Sequence, residues 1–187
     1  MSIYTNPSSS TPEETAAYVR ALLDLLGEHD PFALLHATPA AVRELCSDVS
    51  AEALGRPEAP GKWSMRQVLA HLADSELVWG WRLRMVLAHD RPPLTGYDQD
   101  RWAERLQYEL SDPEQSLRTF ALLRENNLRL LDRATPQDLA RVGVHSERGE
   151  ESLEHLVKLY AAHDLLHLRQ LDRIRSKVPA QAAPVAG

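Results

Sequence analysis

The sequence predicts an all-α protein, a four-helix bundle with a long crossover connection between its second and third helices. Apolar residues recur at spacings of three and four along four long segments, and the breaks between them carry helix-start chemistry. The Asn-Gly and Asp-Gly pairs that mark tight β-hairpins do not occur. At 187 residues the chain has the size of one domain with its own core.

The first predicted helix ends near Leu26. Residues 11–14 (TPEE) supply a capping hydroxyl, a proline at the first helical position and a carboxylate three residues after the cap, a pattern typical of a helix start. Gly27 and Pro31 interrupt this helix. A second Thr-Pro pair allows a helix to restart over 38–45, either as a continuation of the first or as a separate short segment.

The second predicted helix covers residues 65–88. Residues 64–67 (SMRQ) match a capping box, in which a serine hydroxyl and a glutamine side chain satisfy backbone groups at the helix start. The two prolines at 92–93 end the helix. Its inward face follows spacings of three and four, with the members Val68, His71, Leu72, Ser75, Trp79, Leu83 and Val86.

A long connection separates the second helix from the third. It contains residues 96–98 (GYD) and a segment of moderate helical character at 98–110. Residues 112–113 (DP) open the third helix, and 135–136 (TP) start a short turn of helix beyond it. Two interruptions between the second and third helices favour a crossover over an up-down-up-down arrangement. The apolar face of the third helix consists of Leu117, Phe120, Leu123, Leu130 and Leu131.

The fourth predicted helix begins after Ser152, which follows a loop at 145–149. Its inward face consists of Leu153, Leu156, Tyr160, His163, His167, Leu171 and Ile174. The flanking segments 1–11 and 178–187 are predicted to be flexible, because they are short and rich in small residues and proline. One bundle domain therefore occupies residues 12–177.

The composition excludes several classes of protein. A formal net charge of -6 leaves no excess of cations to neutralise phosphates, so we expect neither nucleic acid nor a membrane surface as a partner. No apolar stretch approaches the length of a membrane span, and the N-terminus lacks the features of a secretory signal. The single cysteine, Cys46, permits no internal disulfide and is expected to be a buried, inert thiol. These features favour the cytoplasm.

Three histidines on inward helix faces are the main candidates for chemistry. His163 and His167 are four residues apart, so on a helix their side chains differ by about 40° in direction. His71 lies on the inward face of the second helix. A divalent metal would satisfy such buried imidazoles and would keep a coordination position open, as catalytic sites do. The alternative is three core histidines whose ring nitrogens find other partners.

Other polar residues are candidates for contacts around these imidazoles. Asp74 and Gln170 each follow a histidine by three residues, and Asp164 lies beside the pair, so each could orient an imidazole. Acidic residues on helices are more often simply solvated. His145 lies in the predicted loop and could reach the mouth of the bundle.

The sequence also resembles a known family. Residues 69–76 (LAHLADSE), preceded by Trp63-Ser64, resemble the opening of the second helix in the DinB-like superfamily of bacterial bundle proteins. The resemblance spans about residues 15–177, and the Tyr-Asp pair at 97–98 is most similar to the branch containing the bacillithiol S-transferases. The later landmarks follow in order: residues 96–98 with Trp102, His145 with Gly149, and residues 162–171 (AHDLLHLRQL).

The resemblance implies a bundle that binds a divalent metal, zinc or nickel, through positions that correspond to His71, His163 and His167. It also implies a homodimer, and it adds Tyr97 to the residues expected near the pocket. One departure concerns the segment at 145–149 (HSERG), which lacks the proline that the family often has beside this histidine.

Three functions are compatible with these features. The first is a thiol-dependent S-transferase, in which the metal activates a low-molecular-weight thiol to attack an electrophilic small molecule. The second is a metal-dependent hydrolase that uses metal-bound water. The third is a non-catalytic ligand-binding or structural bundle of the stress response, in which the metal only locks two helices together. Substrate assays separate the first two, whereas unfolding on metal removal would mark the third.

Overall fold

Eight α-helices and three short strands make up residues 11–177, the part of the chain that this computed structural model describes. The segments 1–11 and 178–187, predicted to be flexible, lie outside the described residues except for Thr11. The helices are α1 (Pro12–Leu26), α2 (Pro31–Cys46), α3 (Ala51–Leu54), α4 (Met65–Ala88), α5 (Gln99–Arg105), α6 (Pro113–Leu131), α7 (Pro136–Leu139) and α8 (Leu153–Arg175), and a 3-10 helix covers Tyr108–Leu110. The strands are β1 (Pro93–Leu94), β2 (Val142–His145) and β3 (Gly149–Ser152).

Four long helices, α1, α4, α6 and α8, begin at the predicted capping residues. Thr11 and Ser64 form capping boxes at the starts of α1 and α4. Asp112 caps α6 through its carboxylate, and the Ser152 hydroxyl accepts from the backbone of α8. Within the described residues, no helix is both long and apolar enough to cross a membrane.

Four helices, α2, α4, α6 and α8, enclose the core, and α1 packs against α8. The buried apolar residues form a cluster at each end of the bundle. One cluster contains Leu35, Leu83, Val86, Leu128, Leu131, Leu153 and Leu156. The other contains Val42, Met65, Val68, Leu117, Phe120, Leu171 and Ile174. Comparing the order of these residues along each helix shows that α2 and α8 run in one direction and α4 and α6 in the other.

The parallel arrangement of α4 and α6 confirms the predicted crossover. The connection at 89–112 has to return along the bundle before α6 can begin, and it holds β1, α5 and the 3-10 helix on the way. The two parallel helices approach closely at Gly80, where an added Cβ would lie 2.6 Å from the side-chain amide of Asn127. A glycine is therefore required at this point of contact.

The first helix of the bundle is α2, and it runs through a proline. It begins after Asp30, whose carboxylate accepts from the backbone N–H of Phe32 at 2.9 Å, so the predicted segment 38–45 is only its second half. Pro39 has no N–H to donate to the carbonyl of Leu35. That carbonyl instead accepts a hydrogen bond from Arg124 Nη1 at 2.9 Å. A tertiary contact thus replaces the bond that the proline removes.

A small sheet accompanies the predicted bundle and includes a segment that was predicted as a loop. The segment 145–149, predicted as a loop, is the tip of a hairpin in which β2 pairs antiparallel with β3. Gly149 has a φ of 77°, which a glycine adopts without strain. β1 adds to β2 in parallel, and Leu94 belongs to the core. Strands of two and four residues are too short to carry a recognisable alternation of apolar residues.

Candidate metal centre

Three imidazoles converge between α4 and α8. His71 comes from α4, and His163 and His167 are one turn apart on α8. The Nε2 atom of His163 lies 3.0 Å from Nε2 of His71 and 3.1 Å from Nε2 of His167. These three histidines form a group whose ligand atoms all lie within 4.8 Å of one another.

The surroundings keep these imidazoles neutral. The side chains of His71 and His167 are buried and that of His163 is partly exposed. Burial lowers the pKa of His167 to about 4, although the hydrogen bond that it donates to Gln170 and the charge of Asp164 oppose this. Burial also lowers the pKa of His71 and His163 well below the ordinary value for histidine, and the neighbouring imidazoles add to the effect. At neutral pH each ring can therefore offer a lone pair.

The geometry of the ring nitrogens fits a divalent ion. Nδ1 of His167 donates to Oε1 of Gln170 at 2.8 Å, so its Nε2 atom carries the lone pair. Nε2 of His163 faces both other Nε2 atoms, and one N–H cannot satisfy two such contacts. Nitrogens at tetrahedral angles and about 2.1 Å from one ion lie about 3.4 Å apart, close to the separations here. Only small shifts would be needed to hold an ion.

A pocket opens beside the three-histidine cluster. It encloses about 690 Å³ of free space, including its open mouth, and His163 is the cluster member that lines it. Trp79 and Tyr160 stack in its wall with ring centroids 4.4 Å apart. The other lining residues are Tyr18, Val19, Leu22, Ser75, Val78, Arg82, Tyr97, Gln99, Arg148, Leu156 and Leu159. A small molecule bound there would contact the cluster.

Most of the described chain matches a known protein family. Residues 34–171 match the DinB superfamily. The chain belongs to the DinB superfamily. This confirms the resemblance seen in the residues around His71, at 96–98 and around His163.

Two relatives and one solved structure place the chain more closely within the DinB superfamily. A protein of Oceanobacillus iheyensis is 32% identical over 133 residues, which cover 71% of this chain and 77% of the relative. YfiT of Bacillus subtilis is 29% identical over 144 residues, covering 75% and 81%. Both carry the provisional name of metal-dependent hydrolase. The solved structure of YfiT, a four-helix bundle of unusual topology, superposes with a TM-score of 0.69 at 25% identity over 91% of this chain and 92% of YfiT.

Two carboxylates that were predicted as possible neighbours of the three-histidine cluster make hydrogen bonds to other residues instead. Asp74 accepts a hydrogen bond from the phenol of Tyr108 at 2.7 Å. Asp164 accepts two hydrogen bonds from Arg124, at 2.6 and 3.1 Å. One residue along a helix turns the side chain by about 100°, so Asp164 faces α6 while His163 faces the pocket. Neither carboxylate makes a hydrogen bond to an imidazole.

Tyr97 is connected to the cluster through Ser75, which was predicted to lie on the inward face of α4 but was not predicted to contact His71. The phenol of Tyr97 lies 2.9 Å from Oγ of Ser75, which lies 3.3 Å from Nε2 of His71. Burial raises the pKa of Tyr97, so the phenol stays protonated at neutral pH. The sequence pattern that could have predicted this contact is the position of Ser75, a polar residue one turn after His71 on the same inward face.

His145 lies outside the cluster, at the end of β2. Its Nδ1 atom accepts from the backbone N–H of Glu147 at 3.2 Å, and its Nε2 atom has no hydrogen-bond partner among the described residues. Burial lowers the pKa of His145 to about 3, and the nearby charges of Arg148 and Arg82 add to this. The hairpin thus holds a neutral imidazole in its interior.

Cys46, predicted to be a buried and inert thiol, lies in a partly buried position. The thiol is free and lies in the last turn of α2. Burial raises its pKa to about 11, although the charge of Arg175 opposes this. Its thiol is therefore protonated at neutral pH and is a weak nucleophile.

Gln170 is expected to tune metal affinity, because its side chain fixes the tautomer of His167. Gln170→Leu removes the acceptor for Nδ1–H, and we expect it to weaken binding of an added divalent ion by about 10- to 100-fold. Gln170→Glu keeps an acceptor at this position and should retain the affinity. Competition with a chelating dye measures both. Equal affinities for Gln170→Leu and the wild type would show that this contact does not orient the ring.

Proposed function

We propose that the protein is a divalent-metal-dependent hydrolase whose ion is held by His71, His163 and His167. The observation that carries this proposal is the convergence of three neutral imidazoles beside a pocket with apolar walls. The provisional names of the relatives in Oceanobacillus iheyensis and Bacillus subtilis support the same activity. Three protein ligands leave coordination open for a substrate, as in catalytic zinc sites.

The residues of this chain have distinct tasks in the proposed reaction. The three histidines bind the ion, and Gln170 orients His167 through Nδ1–H. When bound by these histidines, a divalent ion would act as a Lewis acid toward the substrate and would activate water for hydrolysis. Ser75 and the protonated phenol of Tyr97 offer hydrogen bonds at the side of the cluster that faces the pocket. The apolar walls keep bulk water from the bound substrate.

Several finer predictions remain proposals. We propose zinc or nickel as the ion, since neutral imidazoles bind both. A homodimer in the cytoplasm, acting on a small molecule, is proposed from the resemblance and the composition. Transfer of a low-molecular-weight thiol has no support from the names of these relatives, and it stays a prediction. A non-catalytic bundle also stays open to test.

Metal-dependent turnover tests the proposal. Protein stripped with a chelator and reloaded with zinc, nickel or manganese is assayed against nitrophenyl esters, anilides and phosphate esters. We expect hydrolysis of at least one class only in the reloaded protein. A parallel assay adds cysteine or glutathione to chlorodinitrobenzene, and a metal-dependent rate there would instead support thiol transfer. Rates equal to those of the stripped protein in every assay would contradict both enzymatic functions.

A further inference from the structure

The pocket beside the three-histidine cluster has a cationic wall. Arg82, from α4, and Arg148, from the β2–β3 turn, both line it, and none of its lining residues is acidic. This contrasts with the whole chain, whose formal net charge is -6. A cleft lined by one sign of charge attracts ligands of the opposite sign.

Glu151 forms an ion pair with one of the two guanidinium groups. Arg148 makes two hydrogen bonds to Glu151, at 2.6 and 2.8 Å. Arg82 donates from Nη2 to the carbonyl of Thr95 at 2.6 Å, while its buried Nε atom has no hydrogen-bond partner among the described residues. Burial lowers the pKa of Arg82, and the charge of Arg148 lowers it further, whereas the charge of Glu151 opposes this. The lining of the pocket therefore carries two cationic side chains and no anionic one.

The remaining walls fit an apolar body. Val19, Leu22 and Leu159 face the pocket together with the stacked rings of Trp79 and Tyr160. Along α4, Arg82 follows Ser75 by seven residues, which corresponds to about 10 Å. Because Ser75 contacts His71, the cation and the cluster lie at separate positions along one pocket.

We propose that this pocket binds an apolar molecule that carries one oxyanion, a carboxylate or a phosphate, held by Arg82. The oxyanion pairs with the guanidinium group of Arg82, at a wall that has two arginines and no acidic lining residue. The apolar body lies against the walls, and the part of the molecule to be hydrolysed lies at the cluster. The assignment of this molecule as a substrate rests on the proposed function, whereas its binding can be measured without turnover.

Three probes of similar length test the proposal by calorimetry and by tryptophan fluorescence. They are 4-phenylbutyrate, phenethyl phosphate and the neutral 4-phenylbutyramide, each titrated into metal-free and metal-loaded protein. We expect at least one anion to bind the metal-free protein about tenfold more tightly than the amide. Comparison of the two anions decides between carboxylate and phosphate. The metal-free arm removes any direct binding of the anion to an ion.

Matched variants assign the preference to Arg82. Arg82→Met keeps much of the side chain's length but removes its charge, and it should erase the preference for the anion. Arg82→Lys keeps the positive charge and should show part of the preference for the anion. A misfolded protein would show no such preference. The control, Arg84→Met, alters an exposed arginine two residues away that bonds to Asn127 and does not line the pocket. It should retain the full preference.

Three results would overturn the proposal: equal binding of all probes, a preference that survives Arg82→Met, or no binding of any probe at about 10 mM. Failure of the proposed function has a different signature. An Arg82-dependent preference without metal-dependent hydrolysis would contradict the hydrolase and leave the anion site in place. Metal-dependent hydrolysis without an Arg82-dependent preference would support the hydrolase and contradict the anion site.

Discussion

Replacing His167 by alanine is expected to reduce the metal content from about one ion per chain to none that survives dialysis. His167 supplies one of three converging Nε2 atoms, and two imidazoles alone bind a divalent ion weakly. The same loss is expected for His71→Ala and His163→Ala. Elemental analysis by mass spectrometry on protein reloaded with zinc or nickel measures it. Hydrolysis should disappear together with the metal.

The control for this prediction is His155→Ala. This histidine lies on α8 as well, but its Nε2 atom faces Glu151 at 3.9 Å and does not belong to the cluster. The His155→Ala variant should therefore keep about one metal ion per chain. We also expect the stripped wild type to remain helical by circular dichroism, because two apolar clusters hold the bundle. Full metal occupancy in all three cluster variants would rule out this site, and unfolding of the stripped protein would favour a structural metal.

The second large effect is expected on stability, from Arg124→Met. The side chains of Arg124, Glu76 and Asp164 are each 0% exposed. Arg124 lies 2.8 Å from Glu76 and 2.6 Å from Asp164, and it also donates to the carbonyl of Leu35. Removing it takes the guanidinium partner from two buried carboxylates and one carbonyl, and of the two carboxylates Glu76 keeps only the amide of Asn127. We expect a loss of about 3–5 kcal/mol in the free energy of unfolding, or about 10 °C in Tm.

Chemical denaturation with a matched control measures this loss. Arg129→Met changes an exposed arginine on the same helix that donates to the side chain of Asn126, and it should cost less than about 0.5 kcal/mol. Adding Glu76→Gln and Asp164→Asn to Arg124→Met should recover part of the stability, because the cost comes from uncompensated charge. Equal stability of Arg124→Met and Arg129→Met would contradict the prediction.

The buried ion pairs also explain how the cluster is held in place. Glu76 lies on α4 five residues after His71, and Asp164 follows His163 directly on α8. Arg124 of α6 bridges the two carboxylates, and Asn127 donates to Glu76 at 2.7 Å. Burial raises the pKa of Glu76, while Arg124 and Asn127 favour its charged form. The two helices that carry the histidines are thus tied to a third behind the site.

Sequence patterns predicted the helices well because their signals are local. The capping residues Thr11, Ser64, Asp112 and Ser152 lie next to the helices that they start, and the apolar faces repeat within each helix. The crossover followed from the interruptions between α4 and α6. The convergence of the histidines could be expected because inward faces of neighbouring helices meet in one core.

Contacts between distant parts of the chain were decided by the tertiary structure. Sequence spacing suggested that Asp74 and Asp164 face imidazoles, but their partners, Tyr108 and Arg124, come from other elements. The path of α2 through Pro39 depends on a donor from α6.

The sequence by itself determined the helix starts, the inward faces and the three histidines. Only the tertiary structure decided the strands, the buried ion pairs, the role of Ser75 and the charge of the pocket. The physical reason is range. Caps and periodicity act within a turn or two of helix, whereas the partner of a buried charge or a short strand is chosen by how the whole chain packs.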